Sequence, residues 1–192
     1  DKVFNPQTVA IIGASDVEGS VGYAIVKNFT QSGFAGKIFF VNIKKAEILG
    51  VKTYPTVDQI PEEIDLAMIA TPAKTVPGVM EECGKAKVKG VIIVSAGFKE
   101  VGPAGKALED QVVAIAKKYV IRVIGPNCIG VLRPRINLNA TFLDKMPKAG
   151  KVWIYEVKTG YTPMLYPDVK VINKGAKNVI VSYMMITPAK TA

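Results

Sequence analysis

An α/β fold is predicted, a mostly parallel sheet of five strands with helices on both faces. Three observations predict it. Short, continuously apolar runs recur at residues 8–12, 37–41, 65–70, 91–94 and 122–124. Segments with helical periodicity separate most of them. Each run ends in a turn of small or polar residues. Strands apolar on both faces, rather than alternating, are those of a parallel sheet covered by helices on each side.

The elements follow in order. Residues 8–12 form the first strand. Residues 21–30 place Val21, Ala24, Ile25 and Phe29 at helical spacing, and Gly33 and Gly36 close that helix. Residues 37–41 are the second strand. Residues 46–49 read as one helical turn stopped by Gly50, residues 51–54 as a short strand before Pro55, and residues 56–60 as a short helix ended by Pro61. The run 65–70 is a buried strand stopped by Thr71-Pro72. Val76, Val79, Met80 and Cys83 share one face of a helix over 76–87. Residues 91–94 are the next strand. A longer helix over 104–119 turns Leu108, Val112, Ile115 and Ala116 inward, and residues 122–124 begin the last strand. After Pro147 this rhythm stops. Residues 151–157 and 179–186 have strand character with no clear helix between them. The division expected is a doubly wound domain over 1–148 and a C-terminal extension, or the start of a second domain, over 149–192. Thr71-Pro72-Ala73-Lys74-Thr75 recurs at Thr187-Pro188-Ala189-Lys190-Thr191. Nothing else repeats, so this reads as coincidence or truncation.

Composition narrows the chemistry. The 192 residues include no histidine, which excludes His-based acid–base work, His-ligated metal and a phosphohistidine within this chain. Cys83 and Cys128 lie in different units, have no metal-ligand spacing and do not make a disulfide framework. No catalytic residue and no metal site is assigned. The formal net charge is +9, but 17 basic and 13 acidic residues lie through Phe142 against 8 and 3 beyond it. The lysines are scattered, without an Arg-rich run or interleaved aromatics. They read as a solvated surface rather than a nucleic-acid face. No apolar run is long enough to cross a bilayer. The opening Asp1-Lys2-Val3-Phe4 is no signal peptide and lacks an initiator Met. The expectation is a cytoplasmic chain that starts inside a longer one.

Ligands of a parallel α/β sheet collect at the carboxyl ends of its strands. Five such ends carry small or polar residues: Gly13-Ala14-Ser15, Val41-Asn42-Ile43-Lys44, Ala70-Thr71-Pro72, Ser95-Ala96-Gly97-Phe98 and Gly125-Pro126-Asn127-Cys128. Any one alone is ordinary turn chemistry, whereas all five on one edge make a site. The first is a loose phosphate cradle. Gly13, Gly19 and Gly22 do not match G-x-G-x-x-G, yet the amides of the following helix attract an anion and Ser15 and Ser20 add hydroxyls. A Rossmann-like unit holding NAD carries an acidic residue after its second strand, for the ribose hydroxyls. Here Asn42 and Lys44 stand there instead. That charge favours a nucleotide with an extra phosphate, and coenzyme A is the best candidate. Cys128 has no histidine base, so it reads as a small wall-forming thiol. Glu100 reads as a helix-start carboxylate.

Several of these segments together resemble a known family. Val9-Ala10-Ile11-Ile12-Gly13-Ala14-Ser15, Val41-Asn42-Ile43-Lys44, Ser95-Ala96-Gly97-Phe98-Lys99-Glu100 and Gly125-Pro126-Asn127-Cys128-Ile129-Gly130 are similar to the CoA-binding domain of NDP-forming acyl-CoA synthetases. Asn5-Pro6 and Asn139-Ala140-Thr141-Phe142 match as well. The likeness is greatest to the ADP-forming acetyl-CoA synthetase branch, related to the succinyl-CoA synthetase alpha subunit, and covers about residues 3–150. It implies that Gly13, Ala14 and Ser15 bind CoA phosphates; Ser20 and Val41 are counted with them as cofactor-binding residues. It places Asn42 and Lys44 by the adenosine and its 3′-phosphate. Thr71 and Pro72 would flank the pantetheine arm, with Ser95, Ala96 and Gly97 further along, and Asn127 and Cys128 near the thiol. In that family an acyl phosphate reacts with the CoA thiol and a phosphohistidine carries phosphate to ADP. The partner implied is an ATP-grasp domain or beta subunit, in a homo- or hetero-oligomer.

Two departures stand out. A Ser-Gln-Ser-Gly-Ala-like turn is expected after Gly150, and the chain reads Lys151-Val152-Trp153-Ile154-Tyr155 there. The phosphohistidine is absent. The fragment is expected to hold CoA without completing a ligase cycle. Two other readings stay open, a stand-alone CoA-binding sensor or carrier and an NAD(P)-binding domain.

Overall fold

The central strand is β1 (Thr8–Ile12). It pairs in parallel on one side with β2 (Lys37–Val41) and on the other with β5 (Leu66–Ile69). A computed structural model describes residues 2–143 of the chain. The boundary expected at 148/149, the extension over 149–192, the strands expected at 151–157 and 179–186 and the second Thr-Pro-Ala-Lys-Thr all lie outside the described residues.

β6 (Gly90–Ile93) and β7 (Arg122–Ile124) continue the parallel sheet beyond β5. The five expected strands are therefore contiguous, in the order β2-β1-β5-β6-β7. Two more widen the sheet to seven. β4 (Val51–Tyr54) pairs in parallel with β2, and β3 (Glu47–Ile48) pairs antiparallel with β4. β3 occupies the stretch read from sequence as a helical turn. Leu49 and Gly50 both have positive φ, 49° and 76°. Two consecutive residues of that kind make the tight turn of a hairpin and cannot continue a helix. The register Ile48↔Val51 across those two residues follows. The helix expected over 56–60 is a 3-10 turn, Val57–Gln59.

Three helices flank the sheet: α1 (Val21–Gln31), α2 (Val76–Lys85) and α3 (Pro103–Tyr119). Alternate residues of each strand point to opposite faces. Val9 and Ile11 of β1 join Ile25, Val26 and Phe29 of α1 in one core. Ala10 and Ile12 join Met80 and Cys83 of α2 and Val112 of α3 in the other. Val21, expected on the inner face of α1, is 44% exposed. Gly22 is turned inward instead.

Residues 122–124 are not the last strand. β8 (Gly130–Arg133) and β9 (Leu138–Thr141) form an antiparallel hairpin that packs on α1. Val131, Leu138 and Ala140 complete the α1-side core. The buried side chain of Asn28 fastens the hairpin to α1. Its Nδ2 donates to the carbonyls of Thr141 at 2.7 Å and Leu143 at 2.8 Å. A single buried amide with both donors used costs nothing in desolvation that these bonds do not offset.

Candidate functional site

The chain leaves β1 through α1 toward β2 on one side, while β5 lies on the other. The strand order thus reverses at β1, so the carboxyl ends of β1 and β5 flank the topological switch point, where open α/β sheets bind ligands. All five sequence-predicted loops stand on this edge, and hydrogen bonds join them into one row. Gly13 N–H donates to Val41 O at 3.0 Å, and Asn42 Nδ2 donates to Ala14 O at 2.9 Å, which joins the first loop to the second. Ala70 N–H donates to Ile12 O at 2.9 Å, tying the third to the end of β1. Ser95 Oγ donates to Thr71 O at 2.6 Å, joining the fourth to the third. Asn127 N–H donates to Ser95 O at 2.9 Å, joining the fifth to the fourth.

The first loop is shaped by close packing. Gly13 has φ of 88°, and a Cβ there would lie 2.8 Å from Ala70 O. A Cβ on Gly22 would run into the carbonyl oxygen of Gly13. Gly13 thus lets the first loop lie against the end of β5, and Gly22 lets the start of α1 sit directly on the first loop. Ser15 and Ser20 act first on the backbone. Ser15 Oγ accepts Val17 N–H at 3.0 Å. Ser20 is the N-cap of α1: its Oγ accepts Tyr23 N–H at 3.2 Å and donates to Val17 O at 2.7 Å. With Tyr23 capped, the amides of Val21 and Gly22 are left for an anion or water, and the first turn of α1 holds no acidic residue.

In the second loop Asn42 is a brace. Beyond its bond to Ala14, its Oδ1 accepts Lys44 N–H at 2.8 Å and Lys45 N–H at 3.1 Å, and its own N–H donates to Tyr54 O at 2.9 Å. Val41 is buried. Lys44 is exposed, and its ammonium has no ion pair among the described residues. Lys45, not singled out from sequence, pairs with Asp16 of the first loop. No local motif announces that pair, because its partners are 29 residues apart.

Along the rest of the row, Thr71 is half-buried and Pro72 exposed, leading into a 3-10 turn at Ala73–Thr75. Ala96 is exposed. Gly97 has φ of 109°, and its N–H donates to Glu100 Oε1 at 2.6 Å, so Glu100 holds the fourth loop closed. The Gly125–Pro126 peptide is cis and Asn127 has φ of 53°. Cys128 is 4% exposed. Its thiol donates to Ile93 O at 3.3 Å, and burial pushes it up to about 12. It is a protonated wall of the sheet end, not a thiolate. Cys83, in the α2 core, is likewise pushed up to about 12 by burial. An open groove of about 600 Å³ lies between α3 and the outer edge of β7, lined by Val112, Ala116, Ile121 and Val123 and ending at Gly125 and Pro126.

This geometry offers free amides, glycine-permitted close approach and lysines at one end, then a row of small residues with the Glu100 carboxylate turned onto the Gly97 amide. It suits a long ligand with phosphates at one end and an apolar arm. Among the described residues no three metal-ligating side chains cluster, and no helix is long and apolar enough to cross a membrane. Residues 7–134 match the family described as the CoA binding domain. The chain belongs to that family. This CoA-binding domain is 50% identical over 146 residues to the alpha subunit of the ADP-forming acetate–CoA ligase I of Pyrococcus furiosus, spanning 74% of this chain and 32% of that protein. It is 46% identical over 175 residues to the ADP-forming acetate–CoA ligase of Methanocaldococcus jannaschii, spanning 91% of this chain and 24% of the ligase. Its fold matches that of the acetyl-coenzyme A synthetase 1 of Candidatus Korarchaeum cryptofilum, solved with phosphate and ADP. There the TM-score is 0.70 at 41% identity, over 73% of this chain and 30% of that one. The chain thus spans 24% to 32% of the length of these relatives.

Proposed function

We propose that this domain is the CoA-holding part of an ADP-forming acyl-CoA synthetase acting on acetate or another small acid. The single observation that carries the reading is the hydrogen-bonded row of five loops across the switch point. It runs from the Gly13 cradle to the Asn127 turn and has the polarity of CoA. The names of the relatives support the reaction class.

In this reading the diphosphate lies on Gly13, Ala14 and Ser15 and the free amides of α1. Asn42 keeps the second loop in place beside the adenosine, and Lys44 meets the 3′-phosphate. The pantetheine arm passes Thr71 and Pro72, then Ser95, Ala96 and Gly97, and the thiol ends beside Asn127 and the turn that Cys128 anchors. The complete enzyme converts acyl-CoA, ADP and phosphate into acid, CoA and ATP. This domain's share is to fix the CoA sulfur against the acyl carbon, which is catalysis by positioning. The phosphate relay belongs to a partner domain or subunit, such as an ATP-grasp unit, because no histidine is present here.

The same absence of histidine favours a second reading, a CoA-binding module without turnover. The two are separated by the gene's reading frame past Ala192, and by joining the chain to a partner that supplies both the phosphate-relay domain and an ATP-grasp unit. The synthetase reading expects the 192-residue chain to bind CoA but to leave acetyl-CoA intact with ADP and phosphate until that partner is supplied. Release of CoA by the chain alone contradicts this division of labour, and failure of every such partner to restore release favours the module.

A further inference from the structure

Two adjacent lysines follow β2, and they are held differently. Lys44 is held through its amide, which Asn42 Oδ1 accepts. Lys45 is fixed on both sides. Its amide goes to the same Asn42 oxygen, and its carbonyl accepts the hydroxyl of Thr53, a buried residue of β4. Thr53 N–H then takes the next carbonyl, Ala46 O, at 2.9 Å. With its backbone pinned, Lys45 reaches back over the first loop and pairs with Asp16. The charged groups of this corner are Asp16, Glu18, Lys44, Lys45, and Glu47 facing Lys52 across the β3–β4 hairpin. The hydrogen bond from Lys45 holds the Asp16 carboxyl below the usual carboxylate range.

A carboxylate in a phosphate loop opposes the ligand unless it is neutralised. From this juxtaposition we propose that Lys45 is the lysine serving the diphosphate, and that Asp16 is a built-in competitor holding it over the first loop while the site is empty. The inference rests on CoA being the ligand. On binding, the Lys45 ammonium exchanges the Asp16 carboxylate for a phosphate oxygen. No covalent bond changes and no proton moves. Lys44, with no ion pair on the protein side among the described residues, is left for the 3′-phosphate. The adjacent lysines thus divide one ligand's two phosphate groups between them.

The test is titration calorimetry of the full 192-residue chain with CoA and dephospho-CoA. Lys45→Gln is expected to weaken both by the same factor, about fivefold or more, because a charge-assisted contact to the shared diphosphate is lost. Asp16→Asn is expected to tighten both by about threefold, the scale of an exposed charge contact. The double variant should bind more weakly than Asp16→Asn alone. Both positions are solvent-facing, and the opposite signs separate this result from a general loss of folding. Wild type that binds CoA while Lys45→Gln matches it, or loses CoA alone, overturns the assignment and leaves the CoA reading intact. An Asp16→Asn variant no tighter than wild type overturns the competitor role. Wild type that binds neither ligand overturns the CoA reading and this inference with it.

Discussion

Asn42 Nδ2 donates to the carbonyl of Ala14 at 2.9 Å, while the oxygen of the same amide accepts Lys44 N–H at 2.8 Å. One side chain therefore sets both the spacing of the first two loops and the turn that presents the lysines. Asn42→Ala should lower stability by about 1–3 kcal/mol, since a part-buried carbonyl and two amides lose their partner. It should weaken CoA and dephospho-CoA alike. Asn42→Asp keeps the acceptor, loses the donor and aims a charge at Ala14 O, so it should bind no better than alanine. Chemical denaturation beside calorimetry checks this. A full-stability Asn42→Ala variant speaks against the brace.

Gly22 is needed for a different reason. Its missing Cβ lets α1 begin against the Gly13 carbonyl, and that obstacle is backbone rather than a side chain that can swing away. Gly22→Ala should cost about 1–3 kcal/mol as an overpacked contact, despite the better helix propensity of alanine. Ligand affinity should fall further than stability, because the displaced amides are those proposed to face the anion. Thermal melts with and without CoA measure both. Unchanged melting and affinity would remove the close-packing account.

In the proposed reading Lys44 meets the 3′-phosphate and so discriminates against a nucleotide without it. Lys44→Glu should weaken CoA about fivefold to tenfold while dephospho-CoA changes little. The difference should shrink as salt is raised. Equal loss for the two ligands argues against a 3′-phosphate contact.

Both cysteines should be unreactive in the native state. Burial pushes each up to about 12 from a usual 9.0. A raised acid pKa means that the folded state favours the protonated thiol. Nothing is lost below pH 9. Above it the unfolded chain ionises first, so stability falls as pH rises toward 12. Each thiol contributes about 1.4 kcal/mol per pH unit over that window. Removing one thiol with Cys83→Ala should make the decline between pH 9 and 10.5 shallower, whatever the variant's stability at pH 7. Thiol titration at pH 8 should find neither group until denaturant is added. Fast labelling of either native thiol would contradict the burial.

Much of this was legible in sequence because continuous apolar runs and helical spacing are local signals. The five parallel strands, the three main helices and the loops at their carboxyl ends follow from them. β3 was hidden because Ala46, Glu47, Ile48 and Leu49 suit a helix. Only the paired positive φ of Leu49 and Gly50 makes a hairpin there, and Leu is not the usual residue for that turn. β8 and β9 were hidden because their partner is α1, more than a hundred residues earlier through Asn28. The loops at the site could be named, but the division of labour within them could not. Ser20 and Asn42 serve the backbone with their polar atoms, and Asp16 and Lys45 meet only after the loops fold side by side.

The most direct measurement is calorimetry of the 192-residue chain with CoA, dephospho-CoA, NAD and NADP under one buffer and salt condition. CoA should bind most tightly and dephospho-CoA more weakly. NAD, which would meet Asn42 and Lys44 where it needs a carboxylate, should be weakest. Tight NAD binding with none for CoA would contradict the central claim.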